Sequence, residues 1–196
     1  MNEACEAAGI SRATFYRVAT SPADLLADER RRLHERRRGD YAKLMLVPVM
    51  DNFPLYVTRV SLVMVDIWQH ADIYRESFTQ APSVLAEELV EYFRTGIEDF
   101  MRFRGDNIQF PSSVEGFPRD VGARLLSSQF ANSQLGVVRG WIEESEEISV
   151  DEIVQVHFEV SPAWYLEAIG YKPNWQRQFR PVSHGWGRGS ECLKPL

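Results

Sequence analysis

The stretch Ala4-Cys5-Glu6-Ala7-Ala8-Gly9-Ile10-Ser11-Arg12-Ala13-Thr14-Phe15-Tyr16-Arg17 decides how the chain is read, because a helix stop and a helix start stand side by side in it. Glu3 to Ala8 is dominated by alanine, the strongest helix former. Gly9 follows where a helix needs a residue that tolerates positive φ at its end. Ser11 then offers a hydroxyl to the free amide hydrogens of a second short helix over Arg12 to Arg17. Two short helices around a glycine turn have the shape of a helix-turn-helix. A third helix has its own start signal, with Ser21 as cap, Pro22 at the first helical position where a missing N–H costs nothing, and Asp24 in the first turn. It runs through Leu25, Leu26 and Leu33 to an arginine-rich end that suits the helix dipole, and is expected to stop before Gly39.

Outward from this head the period stays near 3.6, with no alternation of the kind a strand needs. Val60, Met64, Ile67, Ala71, Tyr74 and Phe78 recur at steps of four and three, one stripe along a helix that Pro54 is expected to start. Leu85, Leu89, Phe93, Ile97 and Phe100 repeat the pattern to about Gly105, and Glu87, Glu88, Glu91, Glu98 and Asp99 are expected to face elsewhere. Gly105 to Pro118 reads as a loop. Val121 to Glu144 carries apolar residues on more than one face, which calls for neighbours on two sides, one of them a second subunit. Ser149-Val150-Asp151-Glu152 is a capping box opening a helix through Ile153, Val156, Val160 and Trp164, with Ser161-Pro162 kinking or restarting it. From Tyr171 to Leu196 three prolines and three glycines remove any period, and that segment reads as an irregular tail.

At 196 residues the chain is long enough to bury a core without disulfides or metal, and 44% hydrophobic with 26% charged residues places it in the ordinary globular range. Cys5 and Cys192 form no Cys-x-x-Cys pair, so both are expected to be free thiols. No apolar run approaches the ~20 residues that span a bilayer, and Met1-Asn2-Glu3 does not begin a signal peptide, so a cytoplasmic protein without a membrane partner is expected. The net charge of −6 argues against a general nucleic-acid coat, yet residues 1 to 40 hold eight arginines against seven acids while the rest has 14 basic and 21 acidic residues. The head is basic relative to the body. For the cluster Arg30 to Arg38, a solvated helix end or a contact with the acidic body is favoured over DNA phosphates.

The segment Ala4 to Arg17, followed by Ser21 to Leu26, resembles the DNA-binding head of the TetR family of bacterial transcriptional regulators. The order alanine-rich helix, Ala-Gly turn, serine cap, Thr-Phe-Tyr-Arg, gap, Ser-x-x-Asp-Leu-Leu carries the likeness, and Gly136-Val137-Val138-Arg139-Gly140-Trp141-Ile142 in the body is compatible with it. The resemblance implies an all-α, TetR-like fold, with a partial helix-turn-helix head and linking helix over 1–39, a helical ligand-binding and dimerisation bundle over 40–170, and the tail 171–196. It implies that Arg12, Ala13 and Thr14 face bases, that Ser11, Thr14 and Tyr16 hold phosphates, and that Arg17 assists. Such roles suit a helix whose short residues enter a major groove and whose guanidinium can grip guanine. Pro22 stands where the family usually has lysine, and Val18-Ala19 where it commonly has His-Phe. Met1 falls inside what would be the family's second helix, so the head is expected to lack its first helix and to expose the apolar sides of Phe15 and Leu25.

The resemblance also implies a small-molecule effector in a helical pocket that shifts the two heads of a homodimer off operator DNA. Residues expected to line that pocket are Met64, Trp68, Tyr92, Phe100 and Phe130, whose rings suit an apolar or aromatic ligand, with His70, Asn132 or Gln134 as polar orienters. The dimer is expected to use residues 121–144 and 149–169 as half of a four-helix bundle, with Gly136, Gly140 and Trp141 at or beside its seam. No enzyme is expected. His34, His70, His157 and His184 lie far apart, and no Glu-x-x-His, His-Glu-x-x-His, P-loop or Gly-x-Ser-x-Gly motif occurs, so neither metal nor cofactor is implied. The reading is a ligand-responsive regulator, most simply a repressor on a palindromic operator. The alternative is a helical ligand-binding homodimer that has lost DNA binding because its head is incomplete.

Overall fold

The computed structural model describes residues 5, 9, 11–44, 49–104, 108–144 and 148–171. Its regular elements are all helical: α1 (Arg12–Val18), α2 (Pro22–Leu44), α3 (Val49–Gln69), α4 (Ala71–Phe78), α5 (Val84–Arg104), a 3-10 turn at Ser112–Val114, α6 (Arg119–Glu144), α7 (Val150–Glu159) and α8 (Ala163–Ala168). Among the described residues the fold is therefore all-α. The helix expected over Glu3 to Ala8, and the tail after Tyr171 with Cys192 and His184, lie outside the described residues.

The head follows its local signals. Gly9 has φ +62°, the left-handed conformation that a helix-ending glycine supplies without strain. The Ser11 hydroxyl accepts the amide hydrogen of Thr14 at 3.1 Å and caps α1. Ser21 caps α2 in the same way through the Asp24 amide, and Asp24 also accepts from the Ser21 and Thr20 hydroxyls, which holds its carboxyl below the usual range. Ser21→Ala is expected to lower the free energy of unfolding by about 1 kcal/mol, read as an earlier urea midpoint at unchanged slope.

Several elements differ from their expected bounds. α2 runs across Gly39 to Leu44 without a break, since one interior glycine lowers helix stability by only about 1 kcal/mol. Pro54 lies within α3 rather than at its start. Its missing N–H costs the helix one bond, and the Thr58 hydroxyl adds one to the Pro54 carbonyl at 3.0 Å. The stripe from Val60 to Phe78 is carried by two helices, not one. The chain turns at His70, whose carbonyl accepts from both Ile73 and Tyr74, while Met64, Ile67, Tyr74 and Phe78 stay buried in one cluster. Glu88 and Asp99 are turned inward, contrary to the expectation that all the acids of α5 face outward. Arg31 lies 3.6 Å from Glu88, and Arg102 pairs with Asp99 at 3.2 Å, so each buried carboxylate is accompanied by a cation. At Ser161-Pro162 the last helix stops and restarts, and Val160 is exposed there rather than in the stripe.

α5 and α6 lie side by side at the centre of the body; α2 packs on α5, α3 on α7, and α4 closes against α5 and α6. Leu85, Leu89, Phe100, Trp141, Val154 and Phe158 are fully enclosed between them, each such side chain contributing about 1.5–3 kcal/mol by leaving water. Ala23 and Ala27 tie α2 into this core, whereas Phe15 sits in a separate small cluster with Cys5 and Ala19. Phe15 is thus covered, not exposed as expected, because α1 folds it onto these two neighbours; Leu25 is 49% exposed.

Candidate functional site

The capped helix α1 keeps Phe15 inward and its polar residues outward, with Val18 exposed beside them. Phe15 is buried, while Ser11, Arg12, Ala13, Tyr16 and Arg17 are exposed and Thr14 is half-buried with its hydroxyl 2.9 Å from that of Ser11. Tyr16 stands edge-on to Phe15 at 5.5 Å, which directs its ring along the surface. The six residues singled out in the sequence therefore occupy one short, rigidly capped element.

The described arginines of α2 are each paired with an acid. Arg30 is paired with Asp66 of α3 and stands 5.1 Å over the Tyr74 ring of α4, and Arg31 reaches Glu88 of α5. Arg32 bonds Asp28 at 2.7 Å and Arg36 bonds Glu29 at 3.0 Å. Burial raises the Tyr74 hydroxyl well above its usual range despite Arg30, so it stays protonated. Burial likewise raises the Glu88 carboxyl against the pull of Arg31 and Arg30. The side chains of Arg37 and Arg38 lie outside the described residues.

Inside the body, α3, α5, α6, α7 and α8 surround a cavity of about 50 Å³. Of the five residues expected there, Met64, Tyr92 and Phe130 line it. The other two are spent on packing. Trp68 is stacked on Trp141 at 5.1 Å between ring centres, and Phe100 is enclosed edge-on against Tyr56 and Tyr165. None of the polar orienters reaches the cavity. His70 bonds the Asp66 carbonyl through Nδ1 at 2.8 Å; Asn132 donates to the Ser128 carbonyl on the surface; Gln134 donates to the His157 carbonyl and the Ser161 hydroxyl, joining α6 to α7.

Besides Arg59 and the tyrosines Tyr56, Tyr92 and Tyr165, the cavity lining includes His157 of α7. That histidine is 2% exposed, lies among Phe93, Phe130 and Phe158 at 5.0–6.4 Å, and neither ring nitrogen has a hydrogen-bond partner among the described residues. Burial pushes its pKa down to about 3, so the ring is neutral, with one donor and one acceptor nitrogen. Its position was readable: Val150, Ile153, Val154, His157 and Phe158 recur at steps of three and four, which sets the histidine on the buried face of α7.

A second cavity of about 40 Å³ adjoins the first, lined by Arg30, His34, Asp66 and Glu88, and Arg59, Val63 and Tyr92 border both. The His34 ring of α2 meets Tyr92 edge-on at 5.0 Å. The helix leading out of the head thus touches the wall of the internal cavity.

On α6, Gly136 and Gly140 are exposed, and so, about three turns earlier, is Leu125 at 49%. Trp141 points the other way: it is 2% exposed, and its indole N–H bonds the Ile148 carbonyl at 2.9 Å, placing it in the core of its own chain rather than at an outer seam. Among the described residues no three His, Cys, Asp or Glu side chains converge as metal ligands, and no helix is long and apolar enough to cross a membrane. Comparison with protein-family models, with curated proteins and with solved structures finds no match to this chain.

Proposed function

We propose that this protein is a ligand-responsive transcriptional regulator, most simply a repressor, that binds a palindromic operator as a homodimer through α1 and leaves it when a small apolar or aromatic effector enters the body. The observation that carries the reading is the outward face of α1, where Arg12, Ala13, Tyr16 and Arg17 are exposed on a helix pinned by Ser11 and Phe15. Arg12 and Thr14 have the chemistry to read base edges, and Ser11 and Tyr16 that to hold phosphates. The ion pairs of Arg30 with Asp66 and of Arg31 with Glu88, and the His34–Tyr92 contact, support a route by which a change at the cavity reaches the head. The exposed stretch of α6 around Gly136 and Gly140 is the face we assign to the second copy.

The test starts with full-length protein and duplexes selected from a random library. Arg12→Ala is expected to weaken the selected duplex by about 1–3 kcal/mol, and Tyr16→Phe by less, with the dimer mass unchanged. The logarithm of the wild-type affinity is expected to fall linearly with that of the salt concentration. A protein that enriches no duplex, or whose retention ignores salt, is instead the helical ligand-binding dimer without DNA binding.

A further inference from the structure

The cavity combines features that plain core packing does not require. His157 is buried with neither ring nitrogen bonded to the described protein, a costly arrangement unless a partner is bound there. Gly96 lines the same cavity from the middle of α5, and a Cβ built on it meets no described atom within 4 Å. Glycine in a helix interior lowers helix stability, and here no close approach demands it. What its missing side chain does is leave one wall of the cavity low.

The rest of the wall sets the ligand chemistry. Tyr56, Tyr92, Phe93, Phe130 and Tyr165 present aromatic surface, which favours a flat ring. Among the described lining residues there is no carboxylate, so a cation would lose its hydration without a counter-charge. Arg59 lies on the border with the second cavity, whose wall sets Arg30 and Arg59 against Asp66 and Glu88, so there is no net charge to draw an anion. A neutral group is left, able to use either a donor or an acceptor nitrogen of His157. About 50 Å³ is small beside the ~150 Å³ apolar cavity that takes up benzene. One ring is therefore the limit, and its entry requires the half-buried Tyr92, which borders both cavities, to turn toward the second.

We propose that the cavity between Gly96 and His157 binds a single-ring, uncharged phenol-type compound whose hydroxyl hydrogen-bonds His157. This deepens the regulatory reading, which it rests on for its effector. Because the Tyr92 ring meets His34 of α2, turning Tyr92 aside on binding disturbs the helix that carries the head.

Phenol, toluene and benzoate serve as probes, each titrated by NMR into the full chain. Phenol is expected to bind at least 10-fold more tightly than toluene, and benzoate not to bind. In His157→Phe the preference for phenol over toluene should fall below threefold. Gly96→Leu, which fills the open wall, should abolish binding of both, with unchanged helical circular dichroism showing that the fold is intact. No phenol binding, equal affinity for phenol and toluene in the wild type, or phenol binding that survives Gly96→Leu would overturn the proposal. Retention of the selected duplex, measured with and without phenol, is a separate readout. His157-dependent phenol binding in a protein that holds no DNA upholds the cavity assignment and overturns only the regulatory reading.

Discussion

Trp141→Ala is expected to lower the free energy of unfolding by about 3–5 kcal/mol. Three losses combine in it. The indole is almost fully enclosed in the core, so truncation opens a void that the helices around it can close only in part. Its face-to-face partner Trp68, inclined by 14°, loses that stacking contact. Its N–H also leaves the Ile148 carbonyl, the bond that holds the segment before α7 against α6. Trp141→Phe keeps most of the volume and loses that hydrogen bond, so its cost should be well below that of alanine. Urea unfolding followed by helical circular dichroism measures both; a loss under 1 kcal/mol for alanine would show that Trp141 is not a core residue and return it to the surface of α6.

Acid is expected to destabilise the protein through His157 before the carboxylates respond. The folded-state pKa of about 3 lies below the ordinary histidine value of 6.5, so between these two pH values the unfolded chain binds a proton that the folded chain does not. Stability therefore rises with pH across that window and falls on acidification, at about 1.4 kcal/mol per pH unit, or about 2 kcal/mol from pH 6.5 to pH 5. Depressed carboxylates act lower down. Asp24, held by Thr20 and Ser21, and Glu91, held by Arg94, lose their stabilising contacts only as pH drops through their own lowered values, below 3.8 and 4.5 respectively. Glu88 works in the opposite sense, since its raised value means that protonation on acidification relieves a buried charge. His157→Phe should remove the loss of stability between pH 6.5 and pH 5, leaving only the opposite contribution of Glu88. Equal losses of urea stability in wild type and variant over that interval would contradict a neutral, buried His157.

The helices were legible because their signals are local. Serine caps at Ser11, Ser21 and Ser149, the glycine stop at Gly9, and apolar steps of three and four act within one or two turns, and the backbone obeys them wherever packing does not object. The errors came where a signal needs its surroundings. Gly39 and Pro54 read as ends, yet both lie inside helices, because one unfavourable residue costs a long helix only about 1 kcal/mol for glycine and about 3 kcal/mol for proline. The stripe through Phe78 is real, but a stripe cannot show that the chain turns at His70 and continues on a second helix.

The exposed residues of α1 needed no tertiary information, since Phe15 is the one large apolar side chain of its inner face and the polar residues fall opposite it. The interior did. Met64, Tyr92, Phe130, Trp68 and Phe100 are all aromatic or apolar at helical spacing, and only the meeting of α3, α5, α6, α7 and α8 decides that three line a cavity and two fill the core. Glu88 and Asp99 turn inward because α2 and the end of α5 bring arginines to them. Sequence by itself determined the helical class, the caps and the outward chemistry of α1, because these depend on residues within a turn or two of one another. The tertiary structure alone decided that the buried His157 finds no partner for its nitrogens among the described residues and that Gly96 leaves the cavity wall open, because both depend on which faces of distant helices meet.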